Sequence, residues 1–315
     1  MEYMSEFLSN SKRSNMVLKH SSDKITFIVD TIHSIGYETK GASIACHRLA
    51  YELANQGHYV YIFNEPFYPH ENIKVIPVEK INEDDGWWNK FYWTPFGYNP
   101  ERTVSIYTQI TWGNPMNTIH NVRWVLHDYE SVQWETFGDN EYVCNFGTFK
   151  VPSGTKQNKL TIFDYKFDRF YDTNNPSREG FGHIIHKNTP EWGLEFLKQF
   201  GSTEISHYNG QKNIDYLTDE FNKYEYVLTF DDKSYYTTAA ALCGTKSIIL
   251  NPNENITPAE YRLENPIQMC GVAYGMNDIK WADQTIGLVR DHLLELEKRD
   301  KQTISNFLEY WNKTL

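Results

Sequence analysis

The chain is predicted to be α/β, with two Rossmann-like halves, and three observations predict it. Short β-branched and aromatic runs alternate with stretches whose apolar residues recur every three or four positions, the signatures of buried strand and packed helix. The alternation stops at a polar, glycine-bearing stretch, Pro152 to Lys159, and then restarts. The length of 315 residues also exceeds what one hydrophobic core usually serves, since domains run to roughly 150 residues.

The first element is Ile25 to Val29, a strand that ends at Asp30. A loop follows, and from Ser43 the residues Cys46, Leu49, Ala50 and Leu53 fall at helical spacing, with Gly57 placed as a left-handed terminator. Val60 to Phe63 is the second strand, which completes one right-handed βαβ unit. Ile73 to Val78 is a weaker strand. Residues 82–100 carry Trp87, Trp88, Phe91, Tyr92, Trp93 and Tyr98 without a clean period, which fits packing over a sheet edge or a stacking platform for a sugar. Val104 to Tyr107, Val122 to Leu126 and Tyr142 to Asn145 continue the same sheet.

After the linker the predicted order is strand (Leu160 to Phe163), strand (Gly182 to His186), helix (Glu191 to Phe200) and strand (Glu204 to His207). Helix (Asn213 to Phe221), strand (Tyr226 to Phe230), helix (Ser234 to Cys243) and strand (Ser247 to Leu250) follow. Ile279, Ala282, Ile286, Val289, Leu293 and Leu296 predict one long amphipathic helix with Asp278 as its N-cap, and a last short helix carries Phe307, Leu308 and Trp311. The expected division is a flexible segment 1–24, a first domain 25–152, a second domain 153–298, and a terminal helix 299–315 packing back on the first domain.

Composition narrows the function. Hydrophobic residues make up 40% and aromatics 16%, enough for two cores, so a disordered or fibrous chain is excluded. A net charge of −11 argues against a nucleic-acid partner, whose phosphates are held by clustered Lys and Arg. Cys46, Cys144, Cys243 and Cys270 form no Cys-x-x-Cys pair, so they read as reduced core residues of a cytoplasmic protein. The opening stretch lacks the apolar run of a signal peptide, and no stretch reaches the roughly 18 apolar residues of a membrane span.

Four segments carry candidate chemistry. In the loop Asp30 to Ser43, Gly36 and Gly41 have the spacing of a phosphate loop, but Lys40 precedes Gly41 and Ala42 follows it, so that motif fails. A ligand-approaching glycine and an ordinary strand-to-helix turn both fit. Around Asp231 and Asp232, a helix opens with Ser234, Tyr235, Tyr236, Thr237 and Thr238; its free N–H groups and positive dipole end suit a diphosphate, while Asp232 as a plain N-cap fits too. Arg178, His183, His186 and Lys187 gather cations in an acidic chain, as a pyrophosphate requires or as any surface shows. Val122 to Glu130 is a strand ending in His127 and Asp128; an imidazole titrating near about 6.5 serves as a general base, or is simply structural. No Asp-x-Asp triplet, His-x-x-x-His or Gly-x-Ser-x-Gly occurs, so no metal is expected and zinc proteases and serine hydrolases are argued against.

The stretch Tyr226 to Leu250, whose small-residue helix ends in Cys243-Gly244-Thr245, resembles the donor-side strand, helix and strand of GT-B glycosyltransferases. Gly271-Val-Ala-Tyr-Gly275, Gly113-Asn-Pro115 and Val122-Arg-Trp124 are similar to segments of a subset from surface-polysaccharide clusters, and Gly41-Ala-Ser43 and Gly57-His58 resemble the acceptor-side half. The resemblance implies two Rossmann-like domains facing across a cleft, and transfer of a sugar from a nucleotide-diphosphate donor to a glycan, lipid-linked sugar or other hydroxyl acceptor. It implies that Lys187, helped by Arg178, neutralises the diphosphate, that Asp231, Ser234, Tyr235, Thr237 and Thr238 form the donor side, and that Gly41 and Ser43 face the transferred sugar. His127, Asp128, Glu38 and His33 are the candidates for acceptor activation. The Glu-x7-Glu signature of many retaining members is not found around Asp231 to Thr238. No cofactor beyond the donor is expected. A nucleotide-sugar epimerase or phosphorylase on the same fold, and a catalytically silent glycan-binding protein, are the alternatives.

Overall fold

A computed structural model describes residues 24–31, 41–76, 99–111, 113–127, 137, 141–151, 155–156, 158–185, 189–205, 214–250, 253 and 255–315. His33, Glu38, Asp128, His186, Lys187 and the aromatic stretch Trp87 to Tyr98 lie outside the described residues, as does the leading segment up to 23.

The first sheet contains β1 (Thr26–Val29), β2 (Tyr59–Ile62), β3 (Ile73–Val75), β4 (Thr103–Thr108), β5 (His120–Val125), β6 (Tyr142–Asn145) and β7 (Asn158–Lys159). They pair in the order β3-β2-β1-β4-β5-β6-β7, every pair parallel. The order reverses between β1 and β4, the switch point at which open α/β sheets form a crevice. Helix α1 (Gly41–Asn55) crosses from β1 to β2 and buries Ile44, Leu49 and Leu53. All six residues of β4 are buried, as expected of a parallel strand covered on both faces.

The second sheet contains β8 (Phe181–Ile184), β9 (Thr203–Glu204), β10 (Tyr226–Thr229), β11 (Lys246–Ile249) and β12 (Val272–Tyr274), all parallel, in the order β12-β11-β10-β8-β9. Its switch point lies between β8 and β10. The helices are α2 (Glu191–Phe200), α3 (Ile214–Phe221), α4 (Tyr235–Leu242), α5 (Pro258–Glu264), α6 (Ile279–Thr285) and α7 (Val289–Thr314).

Two sequence expectations are corrected. Leu160 to Phe163 is not a strand opening the second half; Asn158 and Lys159 pair with β6 instead, and Leu160, Ile162 and Phe163 bury as an extended connection. The tail is not one long helix and a short one. A 3-10 turn at Ile286–Leu288 separates α6 from a continuous 26-residue α7 that contains Phe307, Leu308 and Trp311. Asp278 does occupy the N-cap position of α6, but its carboxylate, instead of capping, receives Arg262 and the Tyr274 N–H (2.9 Å).

Helix α7 joins the halves mechanically. Leu293 and Leu296 bury in the core shared with α4, while Phe307 lies 6.0 Å from Phe27 of β1 and Trp311 lies 5.6 Å from Tyr142 of β6. Thr303 Oγ1 both accepts from the Thr161 N–H (3.0 Å) and donates to the Thr161 carbonyl (2.9 Å). One continuous apolar cluster therefore runs from the first sheet through the connection to the second. All four cysteines are buried and free. Among the described residues, no helix is long and apolar enough to cross a membrane.

Candidate active site between the two sheets

The carboxyl ends of the two sheets meet. Gly41, the first residue of α1, sits so close to α4 that a Cβ built on it would lie 3.6 Å from Tyr235 Cβ and 3.9 Å from the Phe163 ring. The amino ends of α1 and α4 thus abut, and each presents first-turn N–H groups and a partial positive charge. Two such ends at one junction, with both strand switch points behind them, suit a polyanion.

Ser234 is the N-cap of α4, its Oγ accepting from the Tyr236 N–H at 3.2 Å, so the cap is Ser234 and not Asp232. The preceding turn is held by Asp231, whose carboxylate accepts from the Lys233 N–H at 3.0 Å. From this turn Lys233 reaches across to the first domain, its ammonium 5.3 Å from the centre of the Phe149 ring. Phe149 stacks in turn on exposed His127 at the end of β5, with centroids 6.3 Å apart. Burial pushes the Asp232 carboxyl up, with Asp231 adding to the rise and the His127 charge opposing it. Burial also pushes the Lys233 ammonium down, against Glu264. Both shifts mark an environment poorer in water than an open surface.

The structure sets Gly41 against Tyr235, next to Ser234, and sets His127 beside Phe149 and within electrostatic reach of Asp232. Tyr235 packs its ring against Phe163 (4.9 Å) and Phe170 (6.1 Å), and its hydroxyl is buried without a partner among the described residues. Ser43 is buried in the first turn of α1. Three predicted residues direct their functional groups away from this junction. Thr237 Oγ1 donates to the Ser234 carbonyl (2.7 Å) and accepts from Gln268 (2.8 Å), and Thr238 Oγ1 donates to the Ile267 carbonyl (3.2 Å), so both hydroxyls are used inside the fold. Arg178 lies before β8, at the amino end of the sheet. Its guanidinium donates to Thr245 Oγ1 (2.6 Å), to Asn222 Oδ1 (2.6 Å) and to Asp172. A four-residue strand spans about 13 Å, so Arg178 is removed from the α4 start by the depth of the sheet.

Sequence reasoning missed Lys233 and Phe149, which form the bridge between domains. Only the position of Lys233 directly before the helix start signalled it. Asp30, buried at the end of β1 and receiving the Thr111 hydroxyl, was quoted only as a strand terminus. The motif segments turn out to be scaffold. Arg123, fully buried, pairs with Glu141 (2.6 Å) and donates to the Gly113 carbonyl (2.7 Å), while Trp124 Nε1 donates to the Leu160 carbonyl (2.8 Å). Gly244 has φ +79°, and a Cβ there would run into the Asp172 carboxylate.

Two parallel Rossmann-like domains whose strand ends face each other, tied by a returning C-terminal helix, define the GT-B architecture. The chain is similar in fold to a sucrose-phosphate synthase from Thermosynechococcus elongatus, with TM-score 0.54 and 12% identity over 91% of this chain and 98% of that one. AviGT4, a glycosyltransferase involved in avilamycin A biosynthesis, matches 92% of this chain and 97% of its own at TM-score 0.45 and 14% identity. No protein-family model matches the chain, and no curated protein does.

Proposed function

We propose that the protein is a glycosyltransferase that moves a sugar from a nucleotide-diphosphate donor to a hydroxyl of a glycan, lipid-linked sugar or smaller acceptor, without a required metal, in the assembly of a surface glycan. The observation that carries this reading is the abutment of α1 and α4 at Gly41 and Tyr235, where two helix amino ends converge. In the reaction the bond from the anomeric carbon to the diphosphate oxygen breaks and a bond to the acceptor oxygen forms. The leaving diphosphate takes the electron pair, and the acceptor proton passes to a base. Charge on the leaving group is met by the first-turn N–H groups after Ser234 and by Lys187, the cation that the family resemblance implies for it. His127, exposed on the acceptor-side strand end, is the proposed base.

Thermal shift against a panel of nucleotide-diphosphate sugars tests the reading, because a ligand bound by the native state alone raises the melting temperature. At least one donor should stabilise the protein, and free nucleotide should appear only when acceptor is added. Lys187→Ala should weaken that donor by about 1.5–3 kcal/mol, the worth of a charge-assisted hydrogen bond. Nucleotide-sugar turnover with no acceptor would point to an epimerase, and no donor-dependent stabilisation at all to a silent binding protein.

A further inference from the structure

We propose that a second cavity, walled by α5, α7 and the connection after β7, binds a small anionic monosaccharide, a sugar bearing a phosphate or carboxylate, at the joint between the two domains. The cavity measures about 380 Å³, within the range of roughly 300 to 1,000 Å³ typical of small-molecule sites. Gly41, His127, Ser234 and Tyr235 do not line it while Lys233 and Phe149 do, so it adjoins the junction described above without including the two helix ends.

Two kinds of group converge there. Lys159, Lys233, Arg262 and Arg299 bring four cations against the carboxyls of Glu264 and Asp300, in a chain whose net charge is −11. Arg262 is committed to Asp278 and lies 4.2 Å over the Trp281 ring, so Arg299 and Lys159, both exposed at the rim, are the cations free to turn inward to an anion. The second kind is buried. Tyr165 and Asp300 are 1% and 4% exposed, and the Tyr165 hydroxyl and Asp300 Oδ2 have no hydrogen-bond partner among the described residues. Each such orphan costs about 1–3 kcal/mol unless something polar meets it. A hydroxyl and a carboxyl side by side beneath a cationic rim complement a molecule with sugar hydroxyls at one end and an anion at the other. Phe146 and Phe149 add apolar edges to the cavity.

Isothermal titration of the full chain with glucose 6-phosphate and with glucuronate, using glucose and inorganic phosphate as controls, tests the proposal. At least one anionic sugar should bind with a Kd below about 1 mM, tenfold or more tighter than glucose or phosphate. Arg299→Ala should weaken that binding at least tenfold, and Tyr165→Phe, which keeps the buried ring, three- to tenfold. Circular dichroism checks that both variants are folded; should Arg299→Ala not fold, Tyr165→Phe decides. No binding of either anionic sugar overturns the proposal. So does inorganic phosphate binding as tightly as the sugar phosphate, or affinity unchanged in the variants. These outcomes are independent of the nucleotide-sugar panel, whose failure would leave this site standing.

Discussion

Arg178 shows how a residue's neighbours in space change its meaning. Its partners Asp172, Asn222 and Thr245 close the amino end of the second sheet, and Thr245 Oγ1 passes the contact on to the Phe221 carbonyl. Arg178→Ala should therefore lower stability by about 2 kcal/mol in urea unfolding and leave nucleotide-sugar affinity of the folded protein unchanged. Asp300 gives a second residue-scale expectation. Burial raises its carboxyl to about 7, with Glu297 adding to the rise, Arg299 opposing it, and Tyr165 facing it from the connection. The native fold keeps a proton that the unfolded chain gives up above about pH 4, so this group costs stability progressively as pH rises from about 4 to 7. Asp300→Asn should remove that loss: its melting temperature should exceed that of the parent at pH 8, by an amount that shrinks to nothing near pH 4. The sequence showed Arg178 in a cluster of cations close along the chain, and the strand that follows it leaves Arg178 at the amino end of the sheet, away from the start of α4. Thr237 and Thr238 misled for a related reason. A helix turns about 100° per residue, so hydroxyls in one first turn point in different directions, and these two point into the core.

At the scale of elements, strand and helix alternation was legible wherever a buried run carried a period, as in α1, β10, α4 and β11. The tail was half legible. The three-and-four spacing from Ile279 to Leu296 runs unbroken through Ile286–Leu288, because a tight 3-10 turn shifts the apolar stripe without erasing it. Helix α5 was missed although Thr257 and Glu260 form a capping box, each side chain receiving the other's backbone N–H. β12 was noticed only as part of a motif, since three residues are too few to show a period. Helix α7 rests on aromatic anchors at its far end, where Trp311 is 2% exposed between His120, Tyr142 and Phe307. Trp311→Ala should destabilise the protein by about 3–5 kcal/mol, the cost of an emptied core position, read as a lower urea midpoint. An effect under about 1 kcal/mol would mean that the end of α7 is not part of the first domain's core.

At the scale of the whole molecule, two α/β halves followed from length, from the restart of alternation and from the absence of any other period. Their mutual placement did not. Where Gly41 approaches Tyr235, the rings of Phe163 and Phe170 from the connection pack on Tyr235, and these buried rings show no strand or helix pattern in sequence. The facing of the two halves was inferred from resemblance, and that Lys233 and Phe149 meet between them showed only in three dimensions.

The return of α7 also orders events during synthesis. Thr161 waits for Thr303, and Arg102 for the carbonyl of Leu315 (3.2 Å), partners separated by 142 and 213 positions. The N-terminal sheet leaves the ribosome long before the helix that seals its surface around Phe27 and Tyr142. Until those late residues emerge, the apolar surface they cover stays open to non-native contacts.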